Sequence, residues 1–159
     1  MLTMEVHSLL VQSTRDPMSG MLKDGVVCNL KTGPLRKKHK AATHCASVID
    51  MVNFEEEYDV AVIDEIQMIA DAERGCHWTN AVLGLKAREI HLCGDSRALG
   101  IIAYLLEKTG DELTIHEYER LSPLKVDEKP LKDWSELRDG DCVVTFSKKQ
   151  IYRYREEIN

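Results

Sequence analysis

The chain has 159 residues, which suits one domain, or one domain and part of a second. It excludes a complete two-domain motor, whose domains need on the order of 150 residues each. Hydrophobic residues at 43% and charged residues at 30% describe a globular chain, and a net charge of −6 gives no whole-chain sign of nucleic-acid binding, though a local basic groove would suffice.

The cysteines, Cys28, Cys45, Cys76, Cys93 and Cys142, are five in number, with no pair at the two-residue spacing of a zinc knuckle or redox motif. Free thiols in a reducing compartment are the simplest reading. No apolar run reaches the roughly 18 residues of a membrane-spanning helix. The first residues carry neither the basic-then-apolar pattern of a secretion signal nor the arginine-rich, acid-free character of a transit peptide.

In chain order, Leu2, Val6, Leu9 and Leu10 recur at a helical period, so residues 1–13 predict a helix, broken by Asp16-Pro17 and Ser19-Gly20. Residues 25–30 (GVVCNL) read as a short strand and residues 31–34 as a turn. Residues 36–40 (RKKHK) read as a basic loop, and residues 43–48 as a strand. Residues 58–66 (YDVAVIDEI) are the clearest element, a nearly continuous apolar run of the kind buried on both faces of a parallel sheet. Residues 75–86 are amphipathic and helical. Residues 89–93 (EIHLC) form a second apolar strand, stopped by Gly94-Asp95. Residues 96–108 predict a helix stopped at Thr109-Gly110. Residues 113–118 alternate like a strand. After a polar stretch with Pro123 and Pro130, residues 141–146 (DCVVTF) predict another strand, and Ser147 caps a last helix. Strands alternating with helices imply a parallel α/β layer fold.

Ligands of open parallel sheets bind outside the carboxyl ends of the strands, where Asp64 and Glu65 sit. An aspartate there can hold Mg²⁺, commonly through water, because hard cations prefer oxygen. The adjacent glutamate can orient or deprotonate a water that attacks a γ-phosphate, and Gln67 can sense that phosphate and signal to a neighbouring domain. A hydrophobic-Asp-Glu string alone is equally a strand ending in solvated acids. Asp95 sits at the next strand end, either as a nucleotide-linked residue or as a helix N-cap.

Three further candidates carry less. Arg36, Lys37, Lys38 and Lys40 could touch RNA phosphates, but charge runs usually face water, which is the preferred reading. Cys76, His77, His91 and Cys93 lack metal-ligand spacing, so zinc is not expected. Trp78 and Thr79 could stack on a base, but tryptophan on an amphipathic helix is more often core, and core is expected.

Residues 58–95 carry, in order, DEIQM, an RG-x-x-WT helix, VLGL and HLCGD, and the pattern continues through YERLSPL at 118–124 and GDCVVTFSKKQIYRYREEI at 140–158. This resembles the mitochondrial RNA helicase of the RNA degradosome and its bacterial relatives, superfamily-two DExH/D helicases with DEIQ as their Walker B variant. TGPLR at 32–36 is similar to the family's TGEER-like turn, residues 43–51 to its SHVSCTVEM-like RNA-contacting segment, and LTMEV at 2–6 to its LLALEV-like helix. Within these, Pro34 and Leu35 replace two acids, Val48 a threonine and Asp50 a glutamate.

The resemblance implies a RecA-like, P-loop NTPase-type parallel sheet flanked by helices. A partial first domain is expected over residues 1–122, a linker over 123–138 and the first strand and helix of a second RecA-like domain over 139–159. It implies ATP and Mg²⁺ as cofactors, with Asp64, Glu65, Gly94 and Asp95 at the nucleotide and Cys93-Gly94-Asp95 relaying its state. It also implies 3′-to-5′ movement on RNA, single-stranded or duplex with a 3′ overhang, a degradative exoribonuclease as partner, no membrane, and the mitochondrial matrix, with cytoplasm as the alternative. No G-x-x-x-x-G-K-[ST] phosphate loop occurs in the 159 residues. The family's loop is expected just before residue 1 and its arginine finger after residue 159. The alternative is a helicase-derived fragment or interaction module without ATPase activity.

Overall fold

The computed structural model describes residues 8–12, 25–32, 35–119 and 122–158. The chain divides into two units, one ending at Ile115 and one beginning at His116.

The first unit is built on a six-stranded sheet: β1 (Ser8–Gln12), β2 (Cys28–Thr32), β3 (Leu35–Lys37), β4 (His44–Val48), β5 (Glu57–Ile63) and β6 (Lys86–Leu92). The order is β3-β2-β4-β1-β5-β6, all parallel except β3, which pairs antiparallel with β2. Two α-helices follow β5 and β6 respectively, α1 (Gly75–Gly84) and α2 (Leu99–Thr109).

The register explains the core. Leu9 lies opposite both Cys45 and Ala61, and Val11 opposite both Ser47 and Ile63. Side chains in register share a face, since successive residues of a strand alternate. That face packs with Trp78, Ala81 and Val82 of α1 and Ile102 of α2 into the main cluster. Val60, Val62 and Leu10 point the other way and are half-buried, while Cys28, Leu30 and Ala46 form a second, smaller cluster. The expectation that β5 is buried on both faces therefore holds fully for one face only.

Other expectations are corrected. The helix predicted over residues 1–13 is the strand β1 over Ser8–Gln12, and its remainder lies outside the described residues. Leu9 and Val11 satisfy a strand period as well as Leu9 and Leu10 satisfy a helical one, and the central place in the sheet decides. The basic run is not all loop, because Arg36 and Lys37 belong to β3. Residues 33–34 of the predicted turn lie outside the described residues. Residues 113–118 and 141–146 have no regular secondary structure and join no ladder among the described residues, and Ile115, Tyr118, Val144 and Phe146 stay exposed. Alternation supplies the side-chain pattern of a strand; a neighbouring strand must supply the hydrogen bonds.

The second unit centres on α3 (Lys148–Ile158). Ser147 caps it, its hydroxyl accepting from the Gln150 N–H at 3.4 Å. Trp134 packs on it, with its ring 5.0 Å from that of Tyr154 and its indole N–H donating to Glu157 at 3.1 Å.

Candidate functional site

The ladder between β1 and β5 extends one residue past the strand, where the Asp64 N–H donates to the Val11 carbonyl at 2.9 Å. The chain then turns sharply. Glu65 adopts φ 55°, ψ 42°, the left-handed region, and among the described residues no other non-glycine residue has positive φ. A side chain in that region is strained by about 1 kcal/mol or more, and such strain persists only where surrounding bonds over-determine it.

Those bonds are present. The Glu65 N–H donates to Asp64 Oδ1 at 2.9 Å, the Ile66 N–H to the Cys93 carbonyl at 2.9 Å, and the Trp78 indole N–H to the Asp64 carbonyl at 3.1 Å. The turn then winds into a short 3₁₀ helix, Ile66–Ala70. Gly75 at the start of α1 fits against it so closely that a Cβ would stand 2.4 Å from the Ile69 carbonyl oxygen.

Gln67 joins the two strand ends. Its amide nitrogen donates to the Glu65 carboxylate, and its amide oxygen accepts the Asp95 N–H at 3.1 Å. Gly94 makes room for this bridge. Its φ is 154°, and a Cβ there would lie 2.2 Å from Gln67 Oε1 and 2.9 Å from the Ile66 nitrogen. Asp95 is the N-cap of the turn Ser96–Ala98, accepting from the Arg97 N–H at 2.8 Å and from Arg97 Nε at 2.9 Å. The Arg97 guanidinium, helped by its N–H, holds the Asp95 carboxyl below its ordinary value. Partial burial, helped by the Asp64 charge, pushes the Cys93 thiol up, so Cys93 stays protonated beside the acids.

The structure thus brings together Asp64, Glu65, Gln67, Gly94 and Asp95, the sequence-derived set at the ends of β5 and β6. Arg36, Lys37, Lys38 and Lys40 are exposed and lie elsewhere. β3 forms the opposite edge of the sheet and runs antiparallel, from Leu35 beside Thr32 to Lys37 beside Leu30. Lys38 and Lys40 therefore emerge toward the amino ends of the parallel strands, away from Asp64. His77 faces Asp50 at 3.6 Å and His91 faces Glu89 at 3.0 Å.

Trp78 is fully buried, in agreement with the core reading, and its ring is not presented for stacking. Its hydrogen bond to Asp64 is a role that the sequence did not reveal. Fourteen residues separate the two, and only the fold of α1 back onto the turn joins them.

Among the described residues no group of three or more His, Cys, Asp or Glu side chains could hold a metal alone. This donor set suits Mg²⁺ bound beside a phosphate, an ion that keeps several waters and takes one or two carboxylates plus phosphate oxygens. A cavity of about 180 Å³, lined by Asn29, His44, Glu56 and Tyr58 among others, lies at the amino ends of the strands and is no part of this site.

A parallel sheet covered by helices, with an acid pair ending one strand and a Gly-Asp turn ending its neighbour, defines a RecA-like helicase domain. Residues 9–118 match the family described as the DEXQ-box helicase domain of Suv3, and the chain belongs to that family. It is 50% identical over 135 residues to the ATP-dependent RNA helicase SUV3L, mitochondrial, of Oryza sativa subsp. japonica, covering 84% of this chain and 18% of that protein. It is 48% identical over 137 residues to the ATP-dependent RNA helicase SUV3, mitochondrial, of Saccharomyces cerevisiae, covering 82% and 19%. Against the ATP-dependent RNA helicase SUPV3L1, mitochondrial, of Homo sapiens, the identity is 44% over 138 residues, covering 84% and 18%. The chain spans less than a fifth of the length of these three relatives.

Proposed function

We propose that this chain carries the acid-bearing side of the nucleotide site of an ATP-dependent RNA helicase that acts in mitochondria. The observation that carries the reading is the Gln67 bridge from the Glu65 carboxylate to the backbone of Asp95. A bridge of this kind suits a device that registers what happens at the acids and passes it on.

In this reading Asp64 would hold Mg²⁺, through water, and the ion would supply countercharge to the phosphates of ATP. Glu65 orients the attacking water and takes its proton, as the water oxygen bonds to the γ-phosphorus and the bridging P–O bond to ADP breaks. Gln67 couples Glu65 to the Cys93-Gly94-Asp95 turn. RNA, single-stranded or duplex with a 3′ overhang, is the polymer acted upon, and a degradative exoribonuclease is the partner. The domain plan proposed is a first RecA-like domain over 1–122, a linker over 123–138 and the opening of a second over 139–159.

The test is steady-state ATP hydrolysis with a 3′-overhang RNA, using the polypeptide that carries these residues, wild type against Glu65→Gln. Loss of a positioned general base lowers the rate by about 10²–10⁴-fold. Equal rates would overturn the role of Glu65.

The alternative reading is a helicase-derived fragment or interaction module without ATPase activity. Titrating residues 1–159 with a fluorescent ATP analogue separates the two, and micromolar binding removes the non-catalytic one.

A further inference from the structure

We propose that Trp78 is a positioning residue for the acid pair, tying the Asp64–Glu65 turn to the far end of β4 through Arg74. The inference rests on the nucleotide-site reading above and adds to it the parts that hold the turn in shape.

Three contacts form the tie. The Trp78 indole N–H donates to the Asp64 carbonyl at 3.1 Å. The Arg74 guanidinium carbon lies 5.5 Å from the centre of the Trp78 ring, within cation–π reach. Arg74 in turn faces Asp50 Oδ1 at 4.0 Å, and His77 faces the same oxygen at 3.6 Å. Asp50 belongs to the short 3₁₀ turn Ile49–Met51 that follows β4. The line of contact thus runs from Asp50 through Arg74 and Trp78 to the residue preceding the left-handed Glu65.

The geometry suits positioning more than packing alone. Tryptophan fills space with its ring, but one atom of this ring is a donor, and that donor meets the carbonyl at the point where the chain leaves β5 and reverses. The Asp64 carbonyl belongs to the Asp64–Glu65 peptide, so its orientation is coupled to the φ of Glu65. Release of the carbonyl lets that peptide rotate and lets Glu65 leave its strained conformation. The anchor is rigid, because Trp78 is fully buried and α1 is seated on the turn at Gly75, where no Cβ fits. The N-terminus of α1 is fixed independently: Asp71 Oδ1 accepts the N–H groups of Glu73 and Arg74 at 3.0 and 2.8 Å. Arg74 is thereby held at the first turn, above the ring.

The test removes the donor and keeps the shape. In the polypeptide that carries these residues, Trp78 is replaced by β-(3-benzothienyl)alanine, an isostere with sulfur in place of the indole N–H. RNA-stimulated ATP hydrolysis is expected to fall about tenfold in kcat, the size of effect that a small misplacement of a catalytic group produces, with little change in KM for ATP and an unchanged Tm. Arg74→Met, which keeps bulk and removes charge, is expected to lower kcat by a smaller factor in the same direction. On residues 1–159 alone, the isostere is expected to shift the Glu65 and Gln67 amide NMR signals and speed their hydrogen exchange.

An isostere with wild-type kcat, or with unmoved Glu65 and Gln67 amides, overturns the positioning role. So does a loss of kcat that appears only with an equal loss of folded protein. Glu65→Gln in the same assay keeps the two readings apart. If that substitution leaves hydrolysis intact, the nucleotide-site reading fails whatever Trp78 does, and the amide signals still decide whether Trp78 holds the turn.

Discussion

The amide oxygen of Gln67 accepts the backbone N–H of Asp95 at 3.1 Å, so a side chain from the turn after β5 closes onto the end of β6. Its other end donates to the Glu65 carboxylate. Gln67→Glu replaces that donor with a second carboxylate, placing like charges together. It is expected to lower ATP hydrolysis by about tenfold or more, since misplaced or repelled catalytic groups carry penalties of this order. Gln67→Ala should lower it less, because it removes the tie without adding repulsion. Steady-state kinetics on the two variants give the ranking, and the reverse order would contradict the bridge.

Gly94→Ala tests the space that the bridge occupies. The new methyl would meet Gln67 Oε1 at 2.2 Å and the Ile66 nitrogen at 2.9 Å, in a backbone conformation that L-residues avoid. A destabilisation of about 1–3 kcal/mol is expected from strain of this kind. Urea unfolding measures it. Adding Gln67→Ala should recover only part of the loss, because the Gln67 side chain can give way and the Ile66 backbone cannot.

Glu65→Gly separates stability from activity. Glycine adopts the left-handed region without strain, so the substitution releases about 1 kcal/mol while losing the bond to Gln67. The expected result is a Tm equal to or above wild type, with hydrolysis lowered by about 10²-fold or more. A Tm several degrees lower would show that Glu65 is not strained.

Stability should respond to acid through Glu56. A hydrogen bond from the Tyr58 hydroxyl at 2.6 Å, joined by Lys31 Nζ at 3.0 Å, lowers the Glu56 carboxyl from 4.5 to about 2. A folded-state value below the unfolded one means that this contribution is present in full above about pH 4.5 and is lost as the pH falls toward 2. Half of the Glu56 side chain remains exposed, so water screens the pair and its contribution is modest. Thermal melts from pH 6 to 2, on the order of half-unit steps, should show a shallower decline for Glu56→Gln than for wild type.

The acid pair was legible in the linear string because an apolar run ending abruptly in two acids marks the carboxyl end of a strand, where ligands of parallel sheets bind. The helices were legible by period, but the predicted ranges 75–86 and 96–108 overrun them: Lys86 already opens β6, and Ser96–Ala98 is a 3₁₀ turn. The α-helices span Gly75–Gly84 and Leu99–Thr109, the second ending at Gly110, φ 78°, where expected. The first residues were not legible in this way. Ser8–Gln12 is short, and Leu9, Leu10 and Val11 fit either period. Residues 113–118 and 141–146 show the opposite failure, a convincing alternation without a ladder among the described residues. The basic run was legible as charge, but not as a stretch that begins on an edge strand and runs toward the amino ends of the sheet.

From the order of residues alone came the α/β class, the position of Asp64 and Glu65 at a strand end, and the family. These depend on local composition and on motifs that are contiguous in the chain. The tertiary structure alone decided that Gln67 spans two strand ends, that Glu65 is held left-handed and that the Trp78 N–H meets Asp64. The first joins two neighbouring strand ends across a parallel crossover, and the last two depend on that crossover and on α1 folding back onto the turn after β5. Spacing along the chain therefore carries no trace of the contact.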